Sequence, residues 1–148
     1  MRQEKIEKLL KEGKLRIKER NIAEARAIIN IAKLNAEVMK DLNISEKNST
    51  VIYKEIYDSI RQLGDIVWLL KGYEVLRGHE ISLEILKELD IKERAKLNFL
   101  NRFEMLRHDA SYRGKIVSVE HAKEIVDFWN TCSGDIIKEI EKVLIDNQ

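Results

Sequence analysis

The sequence predicts an all-α protein, an antiparallel up-and-down helical bundle of four or five main helices with a short extra helix. Three observations predict it. The 148 residues contain no proline, where an average usage of about 5% gives roughly seven. Apolar residues recur at helical spacing from Gln3 to Val143. The breaks between these periodic stretches are short and polar, which makes consecutive helices antiparallel neighbours. β-Strands are therefore expected to be absent. One compact domain with a single core is the default at this length.

The first helix is read as Gln3 to Arg20, with Ile6, Leu9, Leu10 and Ile17 as a narrow apolar stripe. A second runs from about Asn21 to Leu42, where Ile22, Ala25, Ile28, Ile29, Ala32, Ala36 and Met39 form a wider buried face. Residues 43–48 read as a loop. Ser49 or Thr50 caps a long third helix whose Ile52, Ile56, Ile60, Leu63, Val67 and Leu70 continue up to Gly72 or Gly78. Gly78-His79 breaks the chain, and a short fourth helix starts near Ser82 and reaches Leu89. Asp90 with Glu93 has the pattern of a capping box opening a fifth helix, buried through Ala95, Phe99, Leu100, Phe103 and Leu106 and ended by Gly114. Ser118 caps the last long helix, in which Ala122, Ile125, Val126, Trp129, Ile136, Ile137, Ile140 and Val143 face inward.

Composition removes several function classes. The single Cys132 has no partner for an intrachain disulfide and no Cys/His neighbour at metal spacing, so a reducing cytoplasm fits better than export or structural zinc. No apolar run approaches the roughly 18 residues of a membrane span, and the N-terminus is charged throughout. No GxGxxG, P-loop, GxSxG or HExxH pattern is present, and no metal or cofactor is expected. The formal net charge is only +1. It is unevenly placed: Lys and Arg outnumber Asp and Glu by 8 to 4 in residues 1–20 and by 7 to 3 in residues 92–117. Residues 21–91 carry 9 against 12 and residues 118–148 carry 3 against 7. A phosphate-bearing partner would meet the basic part, while solvated helix faces with locally paired charges give the same asymmetry.

Potential chemistry is concentrated in Phe99-Leu-Asn-Arg-Phe-Glu-Met-Leu-Arg-His-Asp-Ala-Ser-Tyr-Arg-Gly114. Arg102 and His108 are the candidate catalytic residues. Asn101, Arg107, Asp109, Tyr112 and Arg113 crowd around them and are read as nucleotide- or RNA-binding. Cleavage of RNA by a ribose 2′-hydroxyl needs a group that moves protons near neutral pH and a cation that stabilises charge on the phosphorus, roles suited to His108 and Arg102. On a regular helix six positions advance about 600°, so the two side chains stand roughly 120° apart and cannot converge. Either the helix distorts near His108 or a second subunit completes the site. A plainer reading pairs Arg102 with an acid across the bundle and lets Arg107 and His108 offset the helix dipole.

The order of features resembles the HEPN family, small helical bundles found with nucleotidyltransferases and among RNA-cleaving toxins. The similarity covers roughly residues 21–145: an Ala-rich helix, a long helix ending Trp68-Leu-Leu-Lys-Gly-Tyr73, a His79-Glu80 turn with a short helix, the arginine helix and a long closing helix. The family's arginine followed after four to six residues by histidine is matched by Arg102-Phe-Glu-Met-Leu-Arg-His108. A second alignment takes Arg107-His-Asp-Ala-Ser-Tyr112 as the Arg-x-x-Ala-Asp-Tyr signature of a branch that need not keep the nuclease pair, and His108 is then incidental. The resemblance implies a HEPN-like domain over residues 21–148, with residues 1–20 as an added helical extension. It also implies a homodimer whose arginine-histidine pairs meet in an interfacial cleft, or a nucleotidyltransferase as partner or antitoxin.

Other candidates carry less. His79 and His121 lack ligand spacing and read as cap or surface residues. Trp68, Trp129, Phe99 and Phe103 read as core rather than as base-stacking platforms. Three function classes remain: an endoribonuclease, an inert module that binds or serves a nucleotidyltransferase, and a structural dimer without ligand.

Overall fold

A computed structural model describes residues 1–146, and among them the fold is all-helical apart from one short β-ribbon. The helices are α1 (Gln3–Lys11), α2 (Ile22–Lys40), α3 (Ser49–Leu70), α4 (Glu80–Leu86), α5 (Leu100–Tyr112) and α6 (Val119–Asp146). The strands β1 (Leu15–Ile17) and β2 (Tyr73–Val75) pair antiparallel, with Leu15 opposite Val75 and Ile17 opposite Tyr73.

The ribbon corrects two expectations, the absence of strands and a first helix reaching Arg20. Gly13 takes a left-handed φ of +72° and ends α1 one turn after Leu9, a conformation that costs glycine nothing. The chain then leaves in extended form, with Leu15 buried at the start of the strand and Ile17, at its far end, exposed. Residues 1–20 nevertheless share the core. Ile6 and Leu9 belong to the same apolar cluster as the long helices, Lys5 donates to Glu84 of α4 at 2.6 Å, and the N-terminal ammonium meets Glu88.

Helix α3 is the hub. It packs on α2, α4 and α6 and buries Tyr53, Tyr57 and Trp68 as well as the predicted aliphatic stripe. Asn21 caps α2 by accepting from the Glu24 N–H at 3.0 Å. Ser49 and Thr50 do tertiary work instead of capping. Ser49 Oγ donates to the Val117 carbonyl at 2.7 Å and Thr50 Oγ1 accepts from Val117 N–H at 3.0 Å, tying the start of α3 to the approach of α6. Ser118 caps α6 as predicted, accepting from His121 N–H at 3.1 Å.

The short fourth helix starts at Glu80 and ends at Leu86, earlier at both ends than the sequence predicts. Ser82 is buried against α3, where its hydroxyl donates to Asp65 Oδ1, and Trp68 Nε1 donates to the Ile81 carbonyl at 3.0 Å. Gly64 makes this contact possible, since a Cβ there would run into the Ser82 backbone. The Asp90–Glu93 capping box does not form. A 3₁₀ helix, Arg94–Phe99, leads into α5 without a side-chain cap, and its tighter winding buries Leu97 while Ala95 and Phe99 turn outward. Val143, expected to face inward, is partly exposed.

Candidate functional site

Helix α5 is regular from Leu100 to Tyr112. Leu100 and Phe103 anchor it, and the Phe103 ring stands edge-on to Tyr53 at 6.2 Å and to Phe128 at 5.3 Å between centroids. With that face fixed, the polar residues of α5 divide between two sides.

On the α6 side, Arg102 Nε donates to Glu124 Oε1 at 3.0 Å and its Nη2 meets the same oxygen, while the guanidinium lies 5.2 Å from the Phe99 ring centre. On the α3 side, Glu104, Arg107, His108 and Tyr112 line a cleft of about 410 Å³ completed by Tyr57, Asp58 and Arg61 of α3 and by Gly78, His79 and Glu80. Arg102 is not among the lining residues. The undistorted helix therefore does not bring Arg102 and His108 together within one chain, and the acid across the bundle that sequence reasoning offered Arg102 is Glu124.

Arg107 sits at the floor of the cleft. Its Nη2 is 3.6 Å from Asp58 Oδ1, its Nη1 donates to Ser111 Oγ, and its guanidinium lies 5.9 Å from the Tyr57 ring centre. Its Nε is buried without a partner, an unusual state for a guanidinium nitrogen. His108 is exposed and tilts against the exposed Tyr112 ring at 4.7 Å. Arg61 donates to Asp65 at 2.8 Å, so the Asp65–Ser82 contact holds the arginine in place as well as α4.

The remaining predicted binding residues stand outside the cleft. Asn101 Oδ1 accepts from Lys87 Nζ at 2.6 Å, and Arg113 lies 3.8 Å from Asp109 one turn back.

Glu104 in the cleft and Asp65 beside Arg61 are shifted by their surroundings. Burial, reinforced by Glu80, pushes the Glu104 carboxyl above its ordinary range against the opposing pull of Lys87. Burial does the same to Asp65, opposed by the hydrogen bond from Ser82 and by Arg61. The Tyr57 phenol is raised by burial and then by Glu104, so it stays protonated and can donate into the cleft. No set of three or more His, Cys, Asp or Glu suited to a metal ion occurs among the described residues. No helix there is long and apolar enough to cross a membrane.

Sequence reasoning found the α5 wall of the cleft and missed the α3 wall. Tyr57, Asp58 and Arg61 share one edge of an otherwise apolar helix, a spacing that a solvated face also produces. His79, expected as a cap or surface residue, is exposed at the N-cap position of α4 without a side-chain cap bond, and it also lines the cleft. Trp68, Trp129 and Phe103 are core as expected, whereas Phe99 is partly exposed beneath Arg102. No protein-family model, curated protein or solved structure matches the chain.

Proposed function

We propose that the chain is a HEPN-type module that holds a phosphate-bearing ligand, an RNA segment or a nucleotide, in the cleft between α3 and α5. The observation that carries this reading is the convergence of Arg61, Arg107, His79 and His108 on one cleft with an exposed aromatic ring, Tyr112, at its rim. Guanidinium groups present planar donors matched to phosphate oxygens. Arg107 is held loosely enough by Asp58 for its guanidinium to take a phosphate as acceptor. Glu80 and Glu104 supply acceptors for sugar hydroxyls, and Tyr112 a face for a base.

Binding is favoured over cleavage. Arg102 is engaged by Glu124 and stands apart from His108 on a regular helix, so the nuclease pair would need a second copy and the release of that ion pair. The inert branch of the resemblance, carried by Arg107, Ala110 and Tyr112, fits the cleft better, and with it the role of binding partner or substrate carrier for a nucleotidyltransferase. A reducing cytoplasm suits the single buried thiol, which burial pushes up to about 11.

The test is fluorescence anisotropy with a labelled RNA of about ten nucleotides, competition by ATP, and single-turnover cleavage of the same RNA by wild type and His108→Ala. The expected result is saturable binding displaced by ATP, with the RNA left intact. Cleavage abolished by His108→Ala would establish the nuclease form instead. An absence of binding to either ligand would refute both and leave a ligand-free structural protein.

A further inference from the structure

We infer that the outer face of α2 is a self-association surface, on which a second copy of this chain packs antiparallel. Helix α2 has two apolar faces. One, with Ala25, Ile29, Ala32 and Ala36, is buried against the bundle. The other has no partner: Ile31 is 51% exposed, Leu34 59%, Val38 52% and Leu42, in the turn that follows, 43%. With the exposed Ala27 these residues succeed one another at steps of four, three, four and four. On a regular helix they fall within an arc of about 80°. Alternation of three and four is the spacing of a helix-to-helix seam.

The charges along one edge of the seam identify the occupant. Arg26, Asn30, Glu37 and Asp41 are all exposed on that edge, and neither Arg26 nor Asp41 makes an ion pair among the described residues. A two-fold axis at Leu34 sets Ile31 beside the partner's Val38 and Ala27 beside the partner's Leu42. The same axis brings Arg26 to the partner's Asp41, and Asn30 to the partner's Glu37, twice over. A parallel two-fold pairing would carry this edge and its copy to opposite sides of the seam, so Arg26 and Asp41 would not meet. Apolar and charged positions thus select one arrangement, antiparallel and isologous.

Extent sets the strength. The stripe offers on the order of 400 Å² of apolar surface per chain, within the size of patch that marks interaction sites. That is about half of what each partner contributes to a standard stable interface. An interface of that size belongs with weak, transient encounters, and the dimer is therefore concentration-dependent. Helix α2 packs chiefly on α3 and α6, and α5 on α3 and α4; the pairing does not use the residues of the α3–α5 cleft and does not depend on what the cleft binds.

Sedimentation equilibrium up to about 500 µM tests the inference on the full chain. Wild type is expected to pass from monomer to dimer, and Leu34→Glu, at an exposed position, to stay monomeric with an unchanged helical circular dichroism spectrum. Arg26→Asp and Asp41→Arg should each weaken association at least tenfold, and the double exchange should restore it to within about threefold. A monomeric wild type, a dimer indifferent to Leu34→Glu, or a double exchange no better than its single components would overturn the inference.

Discussion

Replacing Gly64 by alanine tests the close approach of α4 to α3. The new Cβ would lie 2.6 Å from the Ser82 carbonyl carbon and 3.0 Å from its Cα, and closer still to the carbonyl oxygen. Ordinary carbon contacts are about 3.5–4.0 Å, and the obstruction is backbone, so no side-chain rotation relieves it. Helix α4 must withdraw by about 1 Å, at a cost of about 1–3 kcal/mol for overpacking. Withdrawal also stretches the Trp68–Ile81 and Ser82–Asp65 hydrogen bonds, each worth about 1 kcal/mol. Alanine returns about 1 kcal/mol in helix propensity, leaving a net loss of about 3 kcal/mol. At about 3 °C per kcal/mol for a domain of this size, Tm falls by roughly 9 °C. Gly134→Ala is the matched control. Nothing lies within 4 Å of its added Cβ, so propensity alone acts and stability should rise by about 0.5–1 kcal/mol. Urea unfolding followed by circular dichroism reads both. Equal stability of Gly64→Ala and wild type would refute the packing argument.

Trp68→Phe removes the indole donor to the Ile81 carbonyl and should cost about 2 kcal/mol in the same urea assay, from the lost hydrogen bond together with the lost ring volume. Asp65, whose carboxyl is raised by burial, contributes stability that is present below the ordinary carboxylate value near 4 and lost as pH rises through its higher folded-state value; the Asp65→Asn variant should show a smaller loss of urea midpoint between about pH 4.5 and 7.5. The Cys132 thiol, pushed up to about 11 by burial, should resist an aromatic disulfide reagent in the native protein and react promptly once urea unfolds it.

The all-helical class was legible because its signals are local: no proline, helical periodicity, and the Ser118 cap. The ribbon was not. Leu15–Ile17 and Tyr73–Val75 are three residues each, too short to display alternation, and each is a strand only because the other lies beside it. The capping box at Asp90–Glu93 did not form either: the segment winds as a 3₁₀ helix with Leu97 buried, a winding that side-chain pattern alone does not disclose. The site was half legible. Arg107, His108 and Tyr112 are contiguous in sequence and drew notice together, but Arg61, Asp58 and His79 join them only through the folding of α3 and the Gly78 turn. The fate of Arg102 was set by Glu124, on another helix, whose position a linear reading cannot supply.

The measurement that tests the central claim most directly compares Arg107→Ala with Arg102→Ala in RNA binding by fluorescence anisotropy. Both remove one positive charge from α5, yet only Arg107 belongs to the cleft. Losing charge-assisted hydrogen bonds worth about 1.5–3 kcal/mol should raise Kd about tenfold or more for Arg107→Ala. Arg102→Ala should stay within about twofold of wild type. The opposite order, with Arg102→Ala crippled and Arg107→Ala unaffected, would contradict the account and move the phosphate to the α5–α6 edge.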